Sequence, residues 1–219
     1  MLYVYAITDS PSAPRRSGLQ GASVRVVGER GPFALMSEHR DLPPQPSEED
    51  LWTHEAVVED LMESSTVLPM RFGTRVADEA GLLAVLDERR DEFETAIERV
   101  RGAVELGVRA QIRTVEHAVT VAAGAGPGSA YLLERAARRR LADNTAARIH
   151  QPLARLARRS AARTNGLEPG VFKGAYLVDR DRVEAFRTRV SELTGEIDGA
   201  SIVCTGPWPP YSFSSGERQ

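Results

Sequence analysis

The sequence predicts an α+β fold in two domains, and three observations carry that reading. Leu2 to Thr8 mixes β-branched and aromatic residues as a strand does. Ser47 opens a helix with a capping signal and an apolar stripe behind it. After Gly102 the pattern runs strand, helix, strand, helix, strand, an order that fits a modified ferredoxin-like sheet with extra helices. The 219 residues, 42% of them hydrophobic, suffice for one large core or two small ones.

Taken in order, the first strand ends at Ser10-Pro11-Ser12-Ala13-Pro14. Val24 to Val27 and Phe33 to Met36 are two further short strands, and Gly28-Glu29-Arg30-Gly31-Pro32 between them has the composition of a hairpin turn. Asp41 to Pro46 is a polar, proline-rich connection. The helix after it starts at Ser47-Glu48-Glu49-Asp50, whose acids suit the positive end of the helix dipole. Leu51, Val58, Leu61 and Met62 form its expected buried stripe. Val67 to Phe72 is extended, and Pro69 restricts it to an edge strand or a bulge. A long helix follows from Asp78 to Arg101, with Leu82, Leu83, Leu86, Phe93, Ile97 and Val100 inward.

The second half opens with an alternating strand, Val104 to Ile112, which Val115 to Val121 extends or returns. Ala122 to Gly128 is a helix-breaking loop. Helix is expected from Ser129 to Arg163, with a kink or restart at Gln151-Pro152. Gly174 to Val178 is a strand, Asp179 to Thr194 an amphipathic helix, and Ala200 to Thr205 the last strand. The domains are therefore 1–101, N-terminal α+β, and 102–205, C-terminal ferredoxin-like. Residues 206–219 form a tail rich in proline and aromatic residues.

Several function classes find little support. The longest apolar run falls far short of the roughly 20 residues that span a bilayer, and Leu2 to Ile7 reads as a strand and not as a secretory signal. A cytoplasmic setting is expected, with no membrane partner. The single cysteine, Cys204, excludes an internal disulfide and a cysteine-rich zinc site. The net charge of −3 gives no general drive toward nucleic acid. Arginines concentrate between Arg135 and Arg163, but only Tyr131 stands near them for base stacking. That stretch reads as a solvated face or as a dock for an acidic protein surface. Lys173 is the only lysine, so the preference for arginine reads as base composition.

No catalytic constellation or cofactor motif emerges. Trp52-Thr53-His54-Glu55 places a histidine beside a glutamate, but a zinc helix needs a second histidine where Val58 stands. His54 is then a helix-face residue that packs or caps. An enzyme using His54 and Glu55 for acid–base work is the alternative, and it requires a pocket around them. Cys204 lies in an expected buried strand, and Gly124 to Gly128 lacks the lysine of a phosphate loop. No metal or cofactor is expected.

Two segments exceed what folding requires. Ser65-Thr66-Val67-Leu68-Pro69-Met70-Arg71-Phe72-Gly73-Thr74 closes the stretch begun at His54, and Gly206-Pro207-Trp208-Pro209-Pro210-Tyr211-Ser212-Phe213 closes the chain's ordered pattern. Both resemble motifs of the GvpL/GvpF family of gas vesicle proteins. Tyr3-Val4-Tyr5 and Glu105-Leu106-Gly107-Val108 fit the same family in the same order, with Arg109 standing where a lysine is expected.

The resemblance implies a non-enzymatic accessory or minor structural protein of gas vesicle assembly. Its implied partners are the hydrophobic main shell protein, which it would bind, keep from aggregating and help to nucleate, and other gas vesicle accessory proteins. It also implies the two-domain α+β fold. A general interaction adaptor with the same fold is the alternative. Within the C-terminal motif, Trp208, Tyr211 and Phe213 are candidates either to strap the two domains together or to contact the shell protein. Arg71 is a candidate for a structural guanidinium fork or for the same contact.

Overall fold

Strand β1 (Leu2–Thr8) is the centre of the first sheet, and all seven of its residues are buried. The computed structural model describes residues 1–42, 47–112, 127–164 and 171–214. The expected strand over Val115 to Val121 and most of the glycine loop before Gly128 lie outside the described residues, as do positions 43–46 of the proline-rich connection. The chain divides into two compact units. Met1–Val104 with the C-terminal residues from Trp208 form one, and Glu105–Pro207 form the other.

In the first unit, β2 (Arg25–Val27) pairs with β3 (Phe33–Glu38), and β3 pairs antiparallel with β1 from Leu2↔Glu38 to Thr8↔Phe33. The register slips between Val4 and Ala6, so Tyr5 sits at a bulge. On its other side β1 takes two short strands in succession. β4 (Val67–Pro69) pairs with Ala6 to Thr8, and β5 (Arg75–Val76) pairs with Leu2 and Tyr3. The sheet order is β2-β3-β1-β4, which leaves Pro69 on an edge where its missing N–H breaks no ladder.

Helix α1 (Glu48–Met62) begins with a capping box. The Asp50 N–H donates to Ser47 Oγ at 3.1 Å, and the Ser47 N–H donates to Asp50 Oδ2 at 3.0 Å. Its buried residues are His54, Val57, Val58, Leu61 and Met62, a run of i, i+3, i+4, i+7 and i+8. His54 heads that stripe. Leu51, expected inward, is instead 43% exposed: it lies on the same face one turn before His54, where the buried stripe begins. The long helix expected from Asp78 is two helices, α2 (Glu79–Glu88) and α3 (Arg90–Val100), parted at Arg89 with φ −108° and ψ 21°. No glycine or proline marks the break. The seven-residue step from Leu86 to Phe93 carries the buried stripe across it, while Leu83 faces outward.

The second unit runs β6 (Ala103–Ile112), α4 (Pro127–Ala154), β7 (Arg159–Thr164), β8 (Val171–Asp179), α5 (Val183–Glu196) and β9 (Ala200–Trp208). This is the β-α-β-β-α-β order of a ferredoxin-like domain, with strands arranged β7-β8-β6-β9. Its core joins Leu106 and Val108 to Ile149, Phe172, Tyr176 and Phe186.

Two expectations for this half are corrected. The helix does not reach Arg163, nor does it restart at Pro152. α4 runs through Pro152 to Ala154 and the chain becomes β7, each residue from Arg159 to Thr164 paired with one from Leu177 back to Phe172. Alanine, leucine and arginine favour a helix locally, but the ladder with β8 overrides that preference. The last strand continues past Thr205 through Gly206 and Pro207 to Trp208. No helix among the described residues is long and apolar enough to cross a membrane.

Candidate functional site

The segment from Val67 to Thr74 is threaded along β1 and wrapped around His54. After β4, the Met70 N–H donates to the Tyr5 carbonyl at 2.9 Å, and the Thr74 carbonyl accepts from the Val4 N–H at 3.0 Å. Between them the chain turns. The Thr74 N–H and hydroxyl both donate to the Arg71 carbonyl, at 3.1 and 2.6 Å. Gly73 has φ +85°, a conformation that side-chain-bearing residues rarely adopt. The turn presents the Phe72 ring inward, with its centroid 5.6 Å from His54 and 5.9 Å from Tyr3.

His54 is fully buried among these aromatic rings. It stacks on Tyr5 at 5.6 Å and meets Tyr3 edge-on at 5.7 Å. Both ring nitrogens are engaged. Nδ1 lies 2.9 Å from the Tyr3 hydroxyl, and Nε2 lies 3.1 Å from the Met70 carbonyl and 3.2 Å from the Tyr211 hydroxyl.

These contacts assign the protons. A carbonyl only accepts, so Nε2 carries the hydrogen and Nδ1 accepts from the Tyr3 O–H. The Tyr3 oxygen in turn accepts the Gly73 N–H at 3.1 Å. At the far end the Tyr211 O–H donates to the Glu55 carboxylate. The single Nε2 hydrogen is shared between the Met70 carbonyl and the Tyr211 oxygen, so Gly73 → Tyr3 → His54 → Tyr211 → Glu55 runs in one donor direction. It joins the first strand, the Val67–Thr74 motif, helix α1 and the C-terminal segment.

Electrostatics agree with a neutral imidazole. Burial pushes the His54 pKa down to about 4, and the Met70 hydrogen bond offsets only part of this. Burial likewise raises Tyr3 to about 12 and raises Tyr211, the latter helped by the nearby Glu55 charge. Glu55 is raised, mainly by burial, with the Tyr211 hydrogen bond opposing. The Tyr5 hydroxyl accepts the Leu19 N–H and bonds Ser37 Oγ, each at 2.8 Å, and Ser37 Oγ reaches His39 Nε2 at 2.7 Å.

The C-terminal segment is held by its own turns as well. The Tyr211 N–H donates to the Pro209 carbonyl at 2.8 Å, the Phe213 N–H donates to the Pro210 carbonyl at 3.0 Å, and Arg99 donates to the Phe213 carbonyl at 3.3 Å. Pro209, Pro210 and Phe213 are buried and Tyr211 is half-buried, but Trp208 is 43% exposed. Arg71 is exposed, and its guanidinium makes no ion pair or hydrogen bond with another described residue. The turn is held through the Arg71 backbone carbonyl.

The structure thus brings together His54, Glu55 and Tyr211, and leaves Trp208 and Arg71 exposed. Tyr3, Tyr5 and Phe72 complete the cluster. Sequence reasoning placed Tyr3 and Tyr5 in the first strand and in a family motif but had no signal for their place around a histidine 49 or more positions away.

A profile of the family described as gas vesicle synthesis protein GvpL/GvpF matches residues 1–215. Gas vesicle protein L of Streptomyces sp. (strain CB03234) is 32% identical over 97% of this chain and 92% of its own length. Gas vesicle protein F of the same organism is 30% identical over 96% and 98%. Among solved structures, gas vesicle protein GvpF from Anabaena sp. PCC7120 superimposes with a TM-score of 0.82 at 21% identity, covering 99% of this chain and 97% of that one. GvpF from Microcystis aeruginosa does so at 0.79 with 18% identity, covering 98% of each. These structures share the α+β fold. The motifs that enclose His54 lie within the matched span, and the chain belongs to the GvpL/GvpF family of gas vesicle synthesis proteins, with a gas vesicle-related role.

Proposed function

We propose that this protein is an assembly accessory or minor structural component of gas vesicles. In this reading it binds the hydrophobic main shell protein, limits its aggregation and aids shell nucleation alongside other vesicle accessory proteins. It works in the cytoplasm, at the growing shell, and is not an enzyme. The observation that carries the binding role is on α1. Leu51 and Trp52, side by side, are 43% and 74% exposed, while the rest of the helix is anchored through His54. Exposed apolar side chains on a rigid support suit an apolar partner.

The C-terminal motif divides its work accordingly. Tyr211 and Phe213 act as the strap, returning the chain to the first unit after β9, and Trp208 is left for contact. Arg71, exposed on its turn, belongs with Trp208. Acid–base catalysis by His54 and Glu55 is disfavoured, because His54 is fully buried and both its nitrogens are committed to protein groups.

The test is co-expression with the main vesicle shell protein, measuring how much shell protein stays soluble and co-purifies. Retention of soluble, co-purifying shell protein supports the reading. If neither occurs, direct binding falls and the general adaptor reading takes its place.

A further inference from the structure

Helix α4 is anchored through its second half. Ala146, Ile149 and Leu153 join the core of the second unit, but from Tyr131 to Asn144 no described residue is buried. Leu132 is 64% exposed in that first half. Arg135, Arg139 and Arg140 are exposed beside it, and none makes an ion pair with another described residue.

Helix α1 carries the opposite charge on its outer face. Trp52 is 74% exposed, and Glu55, Ala56, Glu59 and Asp60 follow it half-buried. Glu55 accepts from the Tyr211 hydroxyl, and Asp60 accepts the Arg15 N–H at 2.6 Å. Both donors are neutral groups, so they orient the carboxylates and leave their charge in place.

The two faces share one spacing. Trp52, Glu55, Ala56, Glu59 and Asp60 stand at i, i+3, i+4, i+7 and i+8, and Leu132, Arg135, Ala136, Arg139 and Arg140 repeat those steps. Laid parallel and in register, the facing line sets Trp52 on Leu132, Ala56 on Ala136 and Glu59 on Arg139. The small alanines let the helix axes approach. On the flanks of a parallel pair, each residue meets the one five positions further along its partner, as the e and g positions of a coiled coil do. That rule sets Glu55 against Arg140 and Arg135 against Asp60. The next facing pair, Glu63 with Asp143, is repulsive and ends the contact.

We propose that the first half of α4 of one copy docks, parallel and in register, on α1 of a second copy of this chain. Two α4 helices would set arginine on arginine, and two α1 helices would set acid on acid. The contact is therefore heterologous and joins copies head to tail. It goes beyond shell binding and covers Trp52, so a second copy and the shell protein compete for one face.

The experiment is sedimentation equilibrium of the full chain over a concentration series, at low and at high salt, with no shell protein present. The weight-average mass is expected to rise with concentration at low salt and to fall toward a single chain at high salt. Arg135→Glu with Arg139→Glu, and separately Glu59→Arg with Asp60→Arg, are each expected to weaken self-association by about tenfold or more. Mixing those two variants is expected to restore it, because the exchanged charges again pair across the contact. Circular dichroism checks that both keep the fold. Should Asp60→Arg disturb α1, the single exchange of Arg139→Glu with Glu59→Arg reads the same pattern. A chain that stays monomeric throughout overturns the proposal and leaves the α1 face to the shell protein alone. It is also overturned by association that ignores salt, by either variant associating fully on its own, or by a mixture that stays monomeric.

Discussion

The imidazole Nε2 of His54 lies 3.2 Å from the hydroxyl of Tyr211, although 157 residues separate them. This contact is where the two sequence motifs meet, one running from His54 to Thr74 and the other around Trp208 to Phe213. The Tyr211 hydroxyl also serves Glu55, so a single oxygen links the C-terminal segment to two residues of α1.

Removing that oxygen isolates its worth. Tyr211→Phe keeps the ring and deletes the hydroxyl, leaving the Glu55 carboxylate without its donor. A loss of about 1–3 kcal/mol is expected, seen as a lower urea midpoint with the same fold by circular dichroism. An unchanged midpoint would mean that the segment is held by Pro209, Pro210 and Phe213 alone.

Acid should loosen the first unit through His54. The unfolded histidine titrates near 6.5 and the folded one near 4, so the unfolded chain binds the extra proton between those values. The stability His54 contributes is full above about pH 6.5 and falls as pH drops toward 4, by roughly 3 kcal/mol over the window. His39, also depressed by burial, adds in the same direction. Urea unfolding from pH 7.5 to 4.5 should show this slope, and His54→Gln should flatten it while leaving the His39 share.

Trp52 and Trp208 should behave oppositely to Tyr211. Both are substantially exposed, so Trp52→Ala and Trp208→Ala are expected to change stability by no more than about 0.5 kcal/mol. Under the proposed function they reduce the shell protein that co-purifies. A Trp208→Ala protein that unfolds would move Trp208 into the strap.

Gly18 tests the packing beneath the cluster. A Cβ added there would stand 2.1 Å from the Tyr5 hydroxyl, which already holds the Leu19 N–H and Ser37. Gly18→Ala is expected to destabilise by about 1–3 kcal/mol, read as a fall in melting temperature. Ala22→Gly, a nearby change without that clash, serves as the control for loop effects.

Much of the fold was legible where local and global preferences agree. Ser47 and Asp50 signal the start of α1 and form its cap, and Pro69 confines β4 to an edge. Legibility failed where they conflict. The run from Arg155 to Arg163 is made of strong helix formers, and only pairing with β8 turns its latter part into a strand. Leu51 shares a helical stripe with His54, and nothing local says that burial begins only at His54.

The sequence by itself determined the α+β class, the strand-and-helix alternation of the second half and the family, because periodicity, caps and motifs are properties of neighbouring residues. The tertiary structure alone decided that His54 is a buried, neutral hub and that Tyr211 and Phe213 turn inward while Trp208 does not. Those outcomes depend on burial and on hydrogen-bond partners distant in the chain, as Tyr3 and Tyr211 are from His54. A local pattern carries no record of such partners.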